Sequence, residues 1–198
     1  MAVLTFDEET HTYRLDGIKI PSVTQIIKSV GLMDLTFVKQ ELLEYKADLG
    51  KKVHSTTELY DRNNLDIESL HPVLKGYLSG WIKFREEIKF IPILIETMLA
   101  HPAYRYAGRI DRVGMIDNVL VELDIKSGIP HHSYAIQSAG YVEMYNFDKP
   151  KIKDQIKRRF TIHLAQDGTY KLIEHKDPKD RTIFLSALSI HNYLETHK

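Results

Sequence analysis

The sequence predicts a mixed α/β fold, a central mixed sheet flanked by helices with the core order α-β-β-β-α-β. Three observations carry this expectation. From Val73 onward a helical apolar spacing gives way to strand-like segments and then returns. The stretch 108–128, GRIDRVGMIDNVLVELDIKSG, reads as two strands about a tight turn. The breakers Gly128 and Pro130 part that hairpin from a further helix. A chain of 198 residues with 43% hydrophobic content can bury one sizeable core, so one domain is expected. Within it, residues 1–72 hold an N-terminal hairpin and helices, 73–175 the core, and 176–198 a C-terminal helix.

Each element has its own signal. Residues 10–20 alternate around Asp16-Gly17, a hairpin pattern. Ser22 stands where it can cap a helix opening at Val23. Residues 37–60 read as helical, with an interruption at Gly50, and Asp61-Arg62-Asn63-Asn64 ends the stretch. After Pro72 the spacing of Val73, Leu74, Tyr77, Leu78, Trp81 and Phe84 gives a helix. A strand at 91–99, a turn at His101-Pro102 and the long hairpin follow. A helix at 134–147, strands at 160–165 and 170–174 about Asp167-Gly168, and a helix at 180–196 complete the chain.

Composition narrows the chemistry. Lys and Arg number 27, as do Asp and Glu, so bulk charge does not signal nucleic acid and any such partner must be met by a local patch. The absence of cysteine excludes disulfides, thiolate zinc sites, an iron–sulfur cluster and a cysteine nucleophile. The start, MAVLTFDEET, lacks the basic and apolar regions of a signal peptide, and the longest apolar run, near 90–95, is too short to span a bilayer. A cytoplasmic protein with no membrane partner is expected.

The hairpin poses a specific question. Asp117-Asn118 is a favoured two-residue turn, because both residues tolerate positive φ. Centring the turn there makes partner numbers sum to 235 and sets Asp111 opposite Asp124, with β-carbons roughly 4.5–5.5 Å apart. Val119, Val121, Leu123 and Ile125 then form a core face, while Leu120, Glu122, Asp124 and Lys126 share the other. Facing carboxylates repel unless both hold a divalent cation, and hard oxygen ligands suit Mg²⁺ or Mn²⁺. Lys126 could then hold a water or a phosphate oxygen. The bland alternative is a surface hairpin whose Arg109, Asp111, Asp124 and Lys126 form solvated ion pairs. Asp/Glu-x-Lys alone says little, since it also starts at Glu44, Glu87, Glu174 and Asp177.

Other groups could complete such a site. Glu96 falls at the end of the preceding strand. His54 and Glu58 share a helix face at i, i+4, as do Gln137 and Tyr141, with Tyr134 and Tyr145 extending the latter stripe. That stripe is either core or a polar pair aimed at DNA or at Lys126. The run KPKIKDQIKRR, 149–159, could grip phosphates, although a solvated face is the commoner role of such runs.

Together these pieces resemble the PD-(D/E)XK nuclease superfamily, in its RecB-type and phage exonuclease branches, including CRISPR-associated exonucleases. The matching segments, in order, are Gly50-Lys-Lys-Val-His54, Glu96, Gly108-Arg-Ile-Asp111, Asp124-Ile-Lys126 and Gln137-Ser-Ala-Gly-Tyr141, with a phage-like lead-in at His11-Thr-Tyr13 and Pro21-Ser-Val-Thr24. The resemblance implies one or two Mg²⁺ or Mn²⁺ ions on His54, Asp111, Asp124 and the Ile125 carbonyl, with Lys126 orienting the attacking water and Glu96 a supporting acid. It implies DNA contacts from Gln137 and Tyr141, to which Arg109, Lys157, Arg158 and Arg159 are natural additions. The implied activity is metal-dependent exonucleolytic hydrolysis of linear DNA, as a free-standing enzyme or beside a recombination or annealing protein. The alternatives are a structure-specific or restriction-like endonuclease on the same scaffold and an inactive DNA-binding module.

Overall fold

The structure, a computed structural model, describes residues 3–34 and 39–197. In chain order the elements are β1 (Leu4–Asp7), β2 (Thr12–Leu15), β3 (Ile18–Ile20), α1 (Val23–Ser29), α2 (Gln40–Asp61), α3 (Pro72–Ile88), β4 (Ile91–His101), β5 (Tyr106–Ile116), β6 (Val119–Lys126), α4 (Ser133–Asn146), a 3-10 turn (Ile152–Asp154), β7 (Arg158–Leu164), β8 (Tyr170–Glu174) and α5 (Lys179–Thr196). The five-stranded sheet runs β4-β5-β6-β7-β8, and β1-β2-β3 form a separate small sheet. Only β6 and β7 pair in parallel, which requires the crossover that α4 provides; the other neighbours are antiparallel. The mixed sheet and the helix–strand order from α3 to β7 are those the sequence predicts.

Local chemistry accounts for most boundaries. Both expected turns adopt left-handed backbone at both central residues: Asp16 and Gly17 have φ of 52° and 77°, Asp117 and Asn118 of 50° and 61°. Ser22 caps α1 in a reciprocal box: its Oγ accepts from Gln25 N–H at 3.1 Å, and Gln25 Oε1 accepts from Ser22 N–H at 2.8 Å. Two expectations change. α2 runs unbroken through Gly50, because the roughly 1 kcal/mol cost of a helical glycine is outweighed by burial of Leu49 and Val53 on the turns around it. The predicted start of this helix, at Phe37, lies outside the described residues. Strand β1 had no turn signal to announce it; the link to β2 is instead tightened by Asp7 Oδ1 accepting from Thr10 N–H at 3.1 Å.

The central sheet is covered on both faces. On one, Val121, Leu123 and Ile125 of β6 join Phe160, Ile162 and Leu164 of β7 against Leu49 and Val53 of α2 and Trp81 and Phe84 of α3. This is the core face read from the hairpin. On the other, Ile110 and Val113 of β5 pack with Ile26 and Ile27 of α1, Ile136, Tyr141 and Met144 of α4, and Phe184 and Leu188 of α5. Each fully buried Leu or Ile contributes about 1.5–3 kcal/mol. No helix among the described residues is long and apolar enough to cross a membrane.

Two glycines record how tightly α4 is seated. A Cβ on Gly108 of β5 would lie 2.6 Å from the Tyr141 ring, and one on Gly140 would lie 2.7 Å from the Phe184 ring. Gly140 is mid-helix, where alanine normally gains up to about 1 kcal/mol. Packing reverses the sign: Gly140→Ala should destabilise by about 1–3 kcal/mol through overpacking. Urea denaturation would show it, and a more stable variant would mean that α5 yields readily.

Candidate active site

The strand registers bring three acids into line. Ile95 pairs with Arg112 and Thr97 with Ile110, so Glu96 stands opposite Asp111. On the other side Arg112 pairs with Leu123 and Val113 with Glu122, the register expected from the turn, and the next step sets Asp111 opposite Asp124. The ladder stops at Arg112–Leu123, however. Beyond it the Asp111 carboxylate occupies the gap, and its Oδ2 accepts from the Ile125 N–H at 2.7 Å. The strict face alternation assumed from sequence also slips here. Ile110 and Val113, three residues apart, both belong to the core beneath α4, and the intervening Asp111 and Arg112 both reach residues of α2. Glu96, in the same row, has φ of 46°, a strained backbone for a non-glycine residue that costs on the order of 1–3 kcal/mol.

Helix α2 delivers His54 to this row. Its Nε2 lies 2.9 Å from the Ile125 carbonyl oxygen, and its Nδ1 lies 3.3 Å from Glu96 Oε1 and 3.5 Å from Asp111 Oδ1. Ligand atoms of His54, Glu96 and Asp111 all fall within 4.8 Å of one another. With acceptors facing both ring nitrogens, the imidazole is a cation here. Burial works against that charge, but Asp111 and Glu96 together overcome it and hold the pKa at about 9. Burial raises Asp124 to about 6, Lys126 opposing and Asp111 adding to the effect. Lys126 Nζ sits 2.7 Å from Asp124 Oδ2, yet that buried oxygen has no aligned hydrogen-bond donor among the described residues. Carboxylate oxygens, one imidazole and an under-satisfied buried oxygen form a donor set that suits a divalent cation. Glu96, expected as an auxiliary acid, is one of the three clustered ligand-type groups. Glu58, on the face of His54, is instead paired with Arg62 at 2.9 Å.

Lys126 is held from the α4 side. Its Nζ donates to Gln137 Oε1 at 3.1 Å and lies 4.6 Å from the centre of the Tyr134 ring. Gln137 Nε2 donates in turn to Thr24 Oγ1 at 3.2 Å and Tyr141 OH at 3.1 Å. Gln137 and Tyr141 are each only 6% exposed. Of the two roles open to them, the contacts present are those that hold Lys126.

Two buried groups escaped the sequence reading. Arg112, with none of its side chain exposed, donates to Asp61 Oδ2 at 2.7 Å, Glu96 Oε1 at 3.1 Å, the Asp111 carbonyl at 2.6 Å and Thr57 Oγ1 at 3.1 Å. Asp61 Oδ1 accepts further bonds from Trp81 Nε1 at 3.0 Å and Arg85 Nη1 at 2.7 Å. Glu122 is also fully buried, and Ser138 Oγ donates to it. Burial, with the Asp124 charge beside it, pushes this carboxyl well above the usual range. An arginine at a core position of a strand was the available signal for the first; Glu122 shares the face of Asp124 and gave none of its own.

The basic run does not join the site. Lys157 donates its N–H to the Leu120 carbonyl, and Arg158 and Arg159 begin β7 beside Val121 and Glu122, towards the turn end of β6. Arg158 pairs with Glu174 at 2.7 Å. Arg159 reaches Asp180 at 2.9 Å and the Ala135 carbonyl at 2.8 Å. Both arginines thus form ion pairs within the fold, away from the acidic row. Arg109 is different: it lies over the Phe6 ring, 5.5 Å from its centre.

Two outcomes follow from these contacts. Because the folded pKa of His54 is raised above 6.5, its stabilisation of the metal-free protein is fully present below pH 6.5 and is lost as pH rises through about 9. In EDTA, the melting-temperature gap between wild type and His54→Gln should therefore narrow over that window; a constant gap would mean that His54 does not carry the charge. Arg112→Met would remove the fully buried guanidinium that Asp61 and Glu96 share, leaving Asp61 to Arg85 and Glu96 to His54, and should cost about 3–5 kcal/mol in urea unfolding. A loss under about 1 kcal/mol would show that the carboxylates reorganise cheaply.

No family model and no curated protein matches the sequence. The structure matches 13 solved chains. Among them is the 2.19 Å crystal structure of a candidate exonuclease from Eubacterium rectale, with a TM-score of 0.52 and 13% identity over 87% of this chain and 72% of that one. Such low identity speaks to architecture alone, and the architecture is shared: this chain is built on the same mixed α/β fold as that protein.

Proposed function

We propose that the protein is a Mg²⁺- or Mn²⁺-dependent deoxyribonuclease that hydrolyses phosphodiester bonds of linear DNA from an end. The observation that carries this reading is the convergence of His54, Glu96 and Asp111 beside the Asp124–Lys126 pair. The shared fold with a candidate exonuclease supports it. His54, Glu96, Asp111, Asp124 and the Ile125 carbonyl are the groups that would hold one or two ions. When bound, the metal supplies charge relief on the phosphate and lowers the pKa of water.

The chain's own groups do the remainder. Burial opposes charge on Lys126, but Asp124 and Asp111 keep its ammonium protonated, so it acts as a donor and fixed positive charge. It orients the attacking water and offsets charge developing on the phosphate. Gln137 and Tyr141 fix where that ammonium sits, which preorganises the site without contacting substrate. Arg112 holds Glu96 while staying buried. Working beside a separate recombination or annealing protein would suit such a free-standing nuclease.

End-labelled linear and closed circular DNA, incubated with Mg²⁺, Mn²⁺ or EDTA, tests this reading. Linear DNA should be degraded in either metal and spared in EDTA. Lys126→Ala should lower the rate by at least about 100-fold, the scale of losing one charge-stabilising group, while DNA binding persists. Cleavage of closed circles would make the enzyme an endonuclease, and binding without cleavage an inactive DNA-binding module. Activity that survives excess EDTA would overturn the metal-dependent assignment.

A further inference from the structure

The small sheet β1-β2-β3 contributes nothing to the acidic row, yet it is fixed beside it. Ala107 N–H of β5 donates to the Pro21 carbonyl at 2.9 Å, and Arg105 Nη2 reaches the Leu15 carbonyl at 3.4 Å. Tyr13, Leu15 and Ile20 pack on Ala107. An aromatic group lies on this platform. The Phe6 ring is 4.5 Å from Tyr13 and 5.1 Å, edge to face, from His11. His11 is exposed where the β1–β2 link enters β2, with φ of 50°.

Arg109 joins this group to the acids. It precedes Asp111 by two residues and pairs in register with Met98, which follows Glu96 by two. The Arg109–Met98 row is thus two residues, about 6–7 Å of strand, from the Glu96–Asp111 row. The guanidinium lies over Phe6, and its one hydrogen-bond contact among the described residues is Met98 Sδ at 3.8 Å, with no carboxylate paired to it. An arginine lying over a ring that an exposed imidazole also packs against, with no carboxylate among the described residues paired to it, has the chemistry of a single-strand nucleic-acid subsite. Guanidinium takes phosphate, and ring faces take bases without regard to sequence.

We propose that Phe6, His11 and Arg109 form a subsite for a single-stranded DNA end: Arg109 binds the phosphate of the nucleotide next to the one cleaved, and the Phe6–His11 group stacks its base. This rests on the nuclease reading and gives the small sheet a task, guiding the strand into the acidic row.

The test uses 5′-fluorescein-labelled single-stranded dodecathymidylate, followed by anisotropy with Mg²⁺ in the Lys126→Ala background, where metal is retained and cleavage suppressed. His11→Ala removes an exposed ring, and Phe6→Leu keeps an apolar contact while removing the aromatic face. Each should weaken binding about fivefold or more. Arg109→Met should weaken it further and reduce the salt dependence by about one counter-ion. An abasic position scanned along the strand should erase the His11→Ala effect at one position only. In the cleavage-competent protein His11→Ala should raise KM and leave kcat in place. If the parent binds DNA and all three variants bind as tightly, the subsite is overturned and the nuclease reading stands. If the parent binds no DNA and the wild type cleaves none, the nuclease reading itself fails, and the subsite with it.

Discussion

A guanidinium with none of its surface in water must find every partner inside the protein, and Arg112 finds them on three elements at once. Asp61 and Thr57 come from α2, Glu96 from β4, and the Asp111 carbonyl from its own strand. Desolvating this charge costs several kcal/mol, which only a full set of aligned acceptors can offset. Apolar side chains in the same layer could slide by a fraction of a turn at little cost; charged hydrogen bonds cannot. Arg112 therefore fixes the height of α2 over the sheet, and with it the position of His54. Asp61 extends the constraint to α3 through Trp81 and Arg85.

The acidic row beside this arginine is neutralised internally, group by group. Glu96 leans on Arg112 and His54, Asp111 on the Ile125 amide and His54, and Asp124 on Lys126. Glu122, fully buried, accepts from Ser138, and burial beside Asp124 favours its neutral form. Protonated imidazole is the replaceable member of this set. A divalent ion entering among the same oxygens would take over its charge and release its proton, which would link metal affinity to pH.

Much of this was legible in the sequence, for identifiable reasons. A two-residue turn of Asp117 and Asn118 admits one favoured backbone, and that backbone fixes the register of β5 against β6. The apolar alternation of β6 fixed which face was core. Counting could not show that the ladder stops at Arg112–Leu123, because beyond it the Ile125 amide is taken by the Asp111 side chain rather than by a backbone carbonyl. Nor could it show Arg112 as a hub, since its partners lie 51 and 16 residues back in the chain. The basic run was ambiguous for a general reason: an arginine next to a strand looks the same in sequence whether it meets phosphate or pairs with a neighbouring acid, as Arg158 and Arg159 do.

The close approach of Tyr141 to Gly108 bears on how such segments are interpreted. Gly108 opens the stretch that leads to Asp111 and invites a catalytic explanation. Its side-chain space is in fact occupied by a ring from α4, the same residue whose hydroxyl accepts from Gln137. Positions 108 and 141 are thus a single volume divided between two residues 33 apart in the chain. Any change that enlarges one must shrink the other, and the pair will behave non-additively when varied. The glycine here is the footprint of the helix that steadies the lysine, and a homologue with a smaller residue at position 141 would be free to carry a side chain at position 108.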